Sequence, residues 1–317
     1  MNTHEQAPSQ SGAAVPDLSV CIAGIHFRNP VIAASGTFGY GREYQGLLDI
    51  ACLGGICTKG LTLHPRQGNA GPRLYETPAG LLNSIGLENP GIPAFIEQEL
   101  PALRELGPVV IANLSGSAVE EYREAAGLLA KTSVDMIELN ISCPNVQAGG
   151  MAFGLDPGPA ASVVQAVRTV WDKPLMVKLS PNAPDLLAVA RACVAAGADA
   201  LSLVNTFQAM AIDIYSRKPV FQHIRAGLSG PGIRPLALRM VWDLWEGVRV
   251  PVVGLGGIAN AADALEFLLA GAAAVQVGSA TFARPPLMPE IIQGIAGYMQ
   301  RYGIAGIADL SIRSRTS

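Results

Sequence analysis

The chain has 317 residues, half of them hydrophobic and only 15% charged, which predicts a folded protein with a large buried core. Its formal net charge is −3 and it has no cluster of Lys and Arg, so nucleic acid is a poor candidate for the main ligand. No apolar run reaches the ~18 to 20 residues of a membrane helix, and the five cysteines form neither a CxxC pair nor a metal-ligand spacing, which predicts a cytoplasmic protein with reduced thiols and no metal site.

Along the chain, a polar start is followed by eight β-rich runs that alternate with Ala- and Leu-rich runs of helical spacing. Residues 1–17 are predicted to be a disordered tail, and residues 18–317 a single domain. Such alternation favours one parallel (β/α)8 barrel, a TIM barrel, with a doubly wound open sheet as the structural alternative. The predicted strands span 31–36, 55–60, 109–116, 136–143, 175–181, 200–206, 251–258 and 274–280.

Three connections between these runs are long, at 61–92, 144–157 and 207–233. Barrel enzymes carry their sites at the C-terminal ends of the strands, in the loops that follow them. These three insertions are therefore predicted to wall or cover a site on that face.

The predicted strands end in amide and ammonium side chains. In residues 136–143 apolar and polar residues alternate, so Glu138, Asn140 and Ser142 are expected to point into the barrel. One such strand end is usually only solvated surface. Five on successive strands point instead to a polar ligand with anionic and amide-like edges, and they are Lys59, Asn113, Asn140, Lys178 and Asn205.

Glycine-rich turns follow the last two predicted strands. The segments GLGGI (254–258) and VGSA (277–280) let backbone N–H groups approach a phosphate, at the two barrel strands where phosphate sites are frequent. The segment LSGPGI (228–233) offers a third backbone wall. Each motif alone is equally typical of ordinary turns.

A thiol and a second loop complete the candidate site. Cys143 comes directly after a predicted strand, and no His is near it in sequence, so proton transfer by its thiolate is favoured over covalent catalysis. The other four cysteines are interpreted as ordinary buried residues. The loop NSIGLENPG (83–91) offers Asn83 and backbone amides that could bind a carboxylate beside Lys59.

Taken together, these motifs resemble class 1 dihydroorotate dehydrogenases. The resemblance runs from about residue 18 to 300 through TKGLT, NSIGLENPG, ANLSG, ELNISCPNVQAGGMAFG, VKLSPN, SLVNT, LSGPGIRPLAL, GLGGI and VGSA. It implies an FMN-binding barrel that oxidises (S)-dihydroorotate to orotate in pyrimidine (UMP) biosynthesis.

The motifs NVQAGGMAFG and SGPGIRPLAL resemble the 1B branch most. That branch implies a separate electron-transfer subunit with FAD and a 2Fe–2S cluster, NAD⁺ as final acceptor, and a homodimer of this chain within a heterotetramer. The fumarate-linked 1A branch is the close alternative. This chain shows neither a GxGxxG dinucleotide motif after its first strand nor a cysteine set for a cluster, which agrees with a separate relay protein.

The resemblance also implies residue roles. Cys143 would remove the C5 proton while C6 gives a hydride to FMN N5. Substrate would be held by Lys59, Asn83, Ser84, Ile85, Gly86, Leu87, Asn140, Asn205 and Thr206. FMN would be held by Ser35, Lys59, Gly60, Asn113, Asn140, Lys178, Val204, Gly230, Gly256, Gly257, Gly278 and Ser279.

Three rival functions remain open from the sequence. A tRNA dihydrouridine synthase also pairs FMN with a cysteine, but would need a basic RNA-binding surface. A non-redox barrel lyase or isomerase would use the phosphate site alone. A non-catalytic flavoprotein scaffold would leave the thiol and the asparagines without a purpose.

Overall fold

The computed structural model describes residues 15–142 and 153–312. It begins with an antiparallel hairpin of strands β1 (Val20–Ile22) and β2 (Ile25–Phe27). Ile22 and Phe27 are buried against the side chains that open the barrel strands, such as Met136. The hairpin therefore closes the N-terminal end of the barrel.

Eight parallel strands close into a barrel in chain order, so the predicted (β/α)8 fold is confirmed and the open sheet is wrong. Each strand lies inside a predicted β-rich run and is shorter than it. The strands, numbered along the chain, are β3 (Val31–Ala33), β4 (Gly55–Cys57), β7 (Val109–Leu114), β8 (Met136–Asn140), β9 (Leu175–Lys178), β10 (Ala200–Leu203), β15 (Val252–Leu255) and β16 (Ala274–Val277).

Helices follow seven of the eight strands and surround the barrel. Between β3 and β4 the chain forms only two 3₁₀ turns, Arg42–Tyr44 and Ile50–Cys52, and the C-terminal helix packs against β3 instead. The helical segments are Ile92–Ala94, Phe95–Glu99 and Leu100–Glu105 in succession, then Val119–Ala130, Pro157–Arg168, Leu186–Ala195, Arg234–Gly247, Ala261–Leu269, Ala280–Ala283 and Leu287–Tyr302.

The period-two alternation predicted for β8 is confirmed. Ile137 and Leu139 join the core between barrel and helices, whereas Met136 packs inside the barrel with the inward residues of the other strands. Glu138, between Ile137 and Leu139, is fully buried inside the barrel as well. Inward polar residues of this strand are thus held where they can meet side chains from across the barrel.

Two of the predicted insertions meet at the C-terminal end of the barrel. Strands β5 (Leu74–Thr77) and β6 (Gly80–Asn83) come from the first, and β11 (Phe207–Ala209) and β14 (Ala226–Ser229) from the third. They form one antiparallel sheet in the order β11-β14-β6-β5, which we call the mouth sheet.

A small hairpin extends the third insertion. It pairs β12 (Ile212–Asp213) with β13 (Lys218–Pro219). The middle insertion lies largely outside the described residues, as do residues 1–14 of the predicted tail. No helix in the described ranges is long and apolar enough to cross a membrane.

Candidate active site

One cavity opens at the C-terminal ends of the barrel strands and brings most of the predicted site residues together. Its walls come from strand ends, from the loops after β15 and β16, and from Leu81 and Asn83 of the mouth sheet. The predicted residues that line it are Ser35, Lys59, Gly60, Asn83, Ile85, Gly86, Leu87, Asn113, Asn140, Lys178, Val204, Asn205, Thr206, Gly230, Gly256, Gly257, Gly278 and Ser279.

Two predicted site residues are not among those lining residues. Ser84 is buried, and its hydroxyl oxygen accepts a hydrogen bond from Asn69 Nδ2 at 3.0 Å. Its side chain is therefore engaged within the protein. Cys143 lies outside the described residues.

A buried carboxylate forms the floor of this site. Glu138 Oε1 accepts from Asn113 Nδ2 at 2.7 Å and from Cys57 Sγ at 3.1 Å. Its Oε2 accepts from Gln276 Nε2 at 2.6 Å and from Ser202 Oγ at 2.8 Å. All four donors come from different barrel strands, so this one side chain ties the inside of the barrel together.

Lys178 supplies the cation for this carboxylate. Its Nζ lies 3.5 Å from Glu138 Oε1 and donates to Ser35 Oγ at 3.0 Å. Burial acts to raise the pKa of Glu138, but Lys178 and the hydrogen bonds from Gln276, Cys57 and Ser202 outweigh it and leave that pKa lowered. Burial and the Glu138 charge raise the pKa of Cys57 well above its ordinary value. Cys57 is therefore held as a thiol.

A chain of hydrogen-bonded amides runs from this floor to Ser142, the residue that precedes Cys143 in the sequence. Asn140 Nδ2 donates to Asn113 Oδ1 at 3.2 Å, and Asn205 Nδ2 donates to Asn140 Oδ1 at 3.3 Å. Asn205 also donates to Ser142 Oγ at 2.8 Å. The hydroxyl of Tyr122 donates to the backbone carbonyl of Asn140 at 2.9 Å and holds this strand end from outside. The amides are thus fixed in orientation before any ligand binds.

An ion cluster also lies at the cavity, where both Lys59 and Glu88 line its wall. Glu88 Oε2 is 2.9 Å from Arg73 Nη1 and 3.5 Å from Lys59 Nζ. The hydrogen bond from Arg73, followed by the charge of Lys59, lowers the pKa of Glu88. The Lys59 side chain is partly exposed, so a ligand carboxylate can also reach it.

The loops after β15 and β16 present backbone to the cavity. Gly256 has φ 130 and Gly257 has φ 75, conformations that favour glycine. None of the backbone N–H groups of Gly257, Gly278 and Ser279 donates to another backbone group in the described ranges. These N–H groups are candidate donors for an anion, and the phosphate site that the motifs indicate stays a prediction.

Three residues with contacts at or beneath the cavity were not predicted from the sequence. Gln276 and Ser202 both bind Glu138 and were assigned no role. The loop with Glu88 was placed beside Lys59, but the ion pairs of Glu88 with Arg73 and Lys59 were not predicted. The signal for Gln276 was present, because the period of two in AVQV puts Gln276 on the opposite face from Val275 and Val277.

Comparison with known proteins settles the family. The family model described as "Dihydroorotate dehydrogenase" matches residues 17–299. The chain belongs to the dihydroorotate dehydrogenase family.

Curated relatives refine this assignment. A Petrotoga mobilis protein is 55% identical over 294 residues, which cover 93% of this chain and 98% of the relative. A Pelobacter propionicus protein is 54% identical over 296 residues, covering 93% and 97% respectively. Both are named "Dihydroorotate dehydrogenase B (NAD(+)), catalytic subunit". The resemblance to the B branch of the family is therefore confirmed, and this dihydroorotate dehydrogenase family member is an oxidoreductase.

Proposed function

We propose that this chain uses FMN to oxidise (S)-dihydroorotate to orotate in pyrimidine biosynthesis. It would pass the electrons to NAD⁺ through a separate subunit that carries FAD and a 2Fe–2S cluster. The observation that carries the proposal is one cavity at the C-terminal end of a dihydroorotate dehydrogenase family barrel. There a buried Lys178, a chain of oriented amides and two glycine loops face the same space.

The described residues fit FMN at both of its polar ends. The free backbone N–H groups of Gly257, Gly278 and Ser279 suit the phosphate. The ammonium of Lys178 is held inside the barrel by Glu138 and Ser35, where it would stabilise negative charge on a reduced flavin ring. When bound, FMN supplies the hydride acceptor for the substrate.

The substrate is proposed to lie between the ion cluster and the amide chain. Lys59 would bind the carboxylate, together with the loop of residues 83–87. The amides of Asn140 and Asn205 carry both donors and acceptors, which suits the ring of dihydroorotate with its alternating N–H and C=O groups. Fixing these groups beforehand lowers the entropic cost of reaching the reactive geometry.

Cys143 is proposed as the base that removes the proton from C5 as hydride leaves C6. The electron pair of the C5–H bond then forms the C5=C6 double bond of orotate. The chain runs into Cys143 directly from Ser142, whose hydroxyl accepts from Asn205 of the proposed substrate site. The base must be a thiolate, and the reference pKa of a cysteine thiol is ~8.5. Because the thiolate fraction increases as pH rises towards that value, the rate of flavin reduction by substrate should increase with it.

The electron-transfer partner is proposed from the relatives' names and from this chain's sequence. A "catalytic subunit" implies another subunit, and this chain has no GxGxxG motif after its first strand for direct nicotinamide binding. In the described part of the chain no group of three or more Cys, His, Asp or Glu could hold a metal ion. A homodimer within a cytoplasmic heterotetramer completes the proposal.

The deciding experiment is anaerobic mixing of the FMN-loaded chain with dihydroorotate while the visible flavin absorbance is followed. Wild type is expected to bleach rapidly and Cys143→Ala to bleach at least 100-fold more slowly, within the range of general base catalysis. Cys21→Ala, at an exposed thiol in β1 at the other end of the barrel, is the matched control and should bleach like wild type. A yellow wild-type protein that ignores dihydroorotate would refute the substrate, and failure to bind added FMN would refute the cofactor.

A further inference from the structure

One buried acceptor at the cavity has no partner within the protein. Gln276 lies on β16 and is 1% exposed, and it lines the cavity. Its amide nitrogen donates to Glu138 Oε2 at 2.6 Å. Its carbonyl oxygen Oε1 is buried and has no hydrogen-bond partner in the ranges 15–142 and 153–312.

Glu138 determines that the oxygen of the Gln276 amide, and not its nitrogen, is left without a hydrogen-bond partner. An ionised carboxylate only accepts hydrogen bonds, so it must face the NH₂ end of Gln276. Rotating the amide by half a turn would bring its carbonyl against a carboxylate oxygen. The amide is therefore locked with Oε1 turned away from Glu138.

The same carboxylate also holds a hydrogen-bond donor at the floor of the cavity. Lys178 Nζ lies near Glu138 Oε1, whereas Gln276 is bound to Oε2. The floor of the cavity therefore presents an ammonium donor and an amide acceptor, set by the two oxygens of one residue. A buried acceptor left without a partner costs roughly 5- to 150-fold in an equilibrium constant, so a ligand that supplies an N–H at this point gains that factor.

We propose that Gln276 Oε1 accepts a hydrogen bond from the imide N–H (N3–H) of the flavin's pyrimidine ring. This inference rests on the FMN site proposed above. The pyrimidine edge of a flavin presents a carbonyl, an N–H and a second carbonyl, so it needs a protein acceptor flanked by donors. Gln276 is the acceptor of that pattern and Lys178 supplies a donor. Gln276 thus selects for a flavin with an unsubstituted N3.

The test compares FMN with 3-methyl-FMN, which lacks this N–H, by titrating the apo-protein and following quenching of flavin fluorescence. Wild type is expected to bind 3-methyl-FMN at least 5-fold more weakly than FMN. In Gln276→Ala the acceptor is gone and space is opened, so the two flavins should bind within about 2-fold of each other.

Ser202→Ala is the matched control, because Ser202 also donates to Glu138 but is not among the residues that line the cavity. It should keep the wild-type preference. An unchanged preference in Gln276→Ala would overturn the inference while FMN binding still stands. A wild type that binds neither flavin would instead overturn the proposed function.

A second measurement needs no variant. The ¹⁵N resonance of N3 in bound, labelled FMN is expected at the position of a hydrogen-bonded N–H. A resonance at the position seen for a flavin in an apolar solvent would overturn the inference even if Gln276→Ala fails to fold.

Discussion

Glu138 and Lys178 are both buried, and each is tolerable only because the other is there. An isolated buried charge is costly, and removal of one partner of a buried pair is strongly destabilising. Glu138 receives four hydrogen bonds in addition to the ammonium of Lys178, so its ionised form is favoured in the folded protein. Stability should therefore depend on pH through this pair.

We predict that Lys178→Met lowers the free energy of unfolding by about 3–5 kcal/mol at pH 7. The folded pKa of Glu138 lies below its ordinary 4.5, so its contribution is present above pH 4.5 and is lost as pH falls through the folded pKa. The difference in the free energy of unfolding between wild type and Lys178→Met, measured by urea unfolding, should therefore become smaller below pH 4.5.

The control for this prediction is Lys173→Met. Lys173 Nζ donates to the backbone carbonyls of Thr132 at 2.8 Å and Val134 at 3.0 Å, so its interactions involve no titrating carboxylate. Its effect on stability should be the same at pH 7 and at pH 4. If the loss of unfolding free energy in Lys178→Met were also independent of pH, the assigned ionisation of Glu138 would be contradicted.

For individual residues, the sequence predicted which face of a strand a side chain occupies better than which side chains it contacts. The inward direction of Glu138 follows from a period of two, which is a property of one strand. Its partners Gln276 and Ser202 lie 138 and 64 residues further along the chain, so the contacts depend on the register of the closed barrel. The Arg73–Glu88 pair likewise needs a loop conformation that no local pattern specifies.

The two glycine loops of the cavity differ in what their glycines do. A Cβ on Gly256 would lie 2.7 Å from Ala237 Cβ, and its φ of 130 is one that side chains rarely adopt. A Cβ on Gly278 would meet Ala34 Cβ at 3.6 Å, an ordinary contact. Backbone geometry therefore requires glycine in the first loop but not in the second.

We predict that Gly256→Ala lowers the free energy of unfolding of the apo-protein by about 2 kcal/mol or more, from strain and overpacking together. Gly278→Ala should change it by less than about 0.5 kcal/mol. In contrast, Gly278→Ala should weaken FMN binding, because its side chain narrows the approach to free backbone N–H groups. Urea unfolding and flavin titration measure the two effects separately, and equal stability losses would contradict the distinction.

Among the larger elements, the mouth sheet was not predicted. Its strands are short, and β6 pairs with β14 through residues far apart in sequence, such as Asn83 and Gly227, which are 144 residues apart. The predicted insertions at 61–92 and 207–233 were correct as positions. Pairing between two such distant loops depends on the tertiary structure, so the sequence could predict only that both loops lie at the C-terminal end of the barrel.

At the level of the whole molecule, the barrel was predictable because its signal repeats. The units at 195–205 and 269–279 each pass from a helix through a positive-φ glycine, Gly197 or Gly271, into a barrel strand. Alternation of this kind fixes fold class without any long-range information. The first unit escaped the pattern, because 3₁₀ turns replace its helix and the C-terminal helix packs on β3.

The relation between this chain and its acceptor also belongs to the whole molecule. If another subunit relays the electrons, the FMN-loaded chain alone should oxidise dihydroorotate with a dye that takes electrons directly from reduced flavin. With NAD⁺ as acceptor its turnover should be at least 100-fold slower. Supplying the FAD and 2Fe–2S subunit of a relative should restore NADH formation, followed at 340 nm.

Cys143→Ala should abolish both reactions, since Cys143 acts before the electrons leave FMN. Full NAD⁺ reduction by the single chain would refute the relay, and rapid turnover with fumarate would point to the 1A type of acceptor.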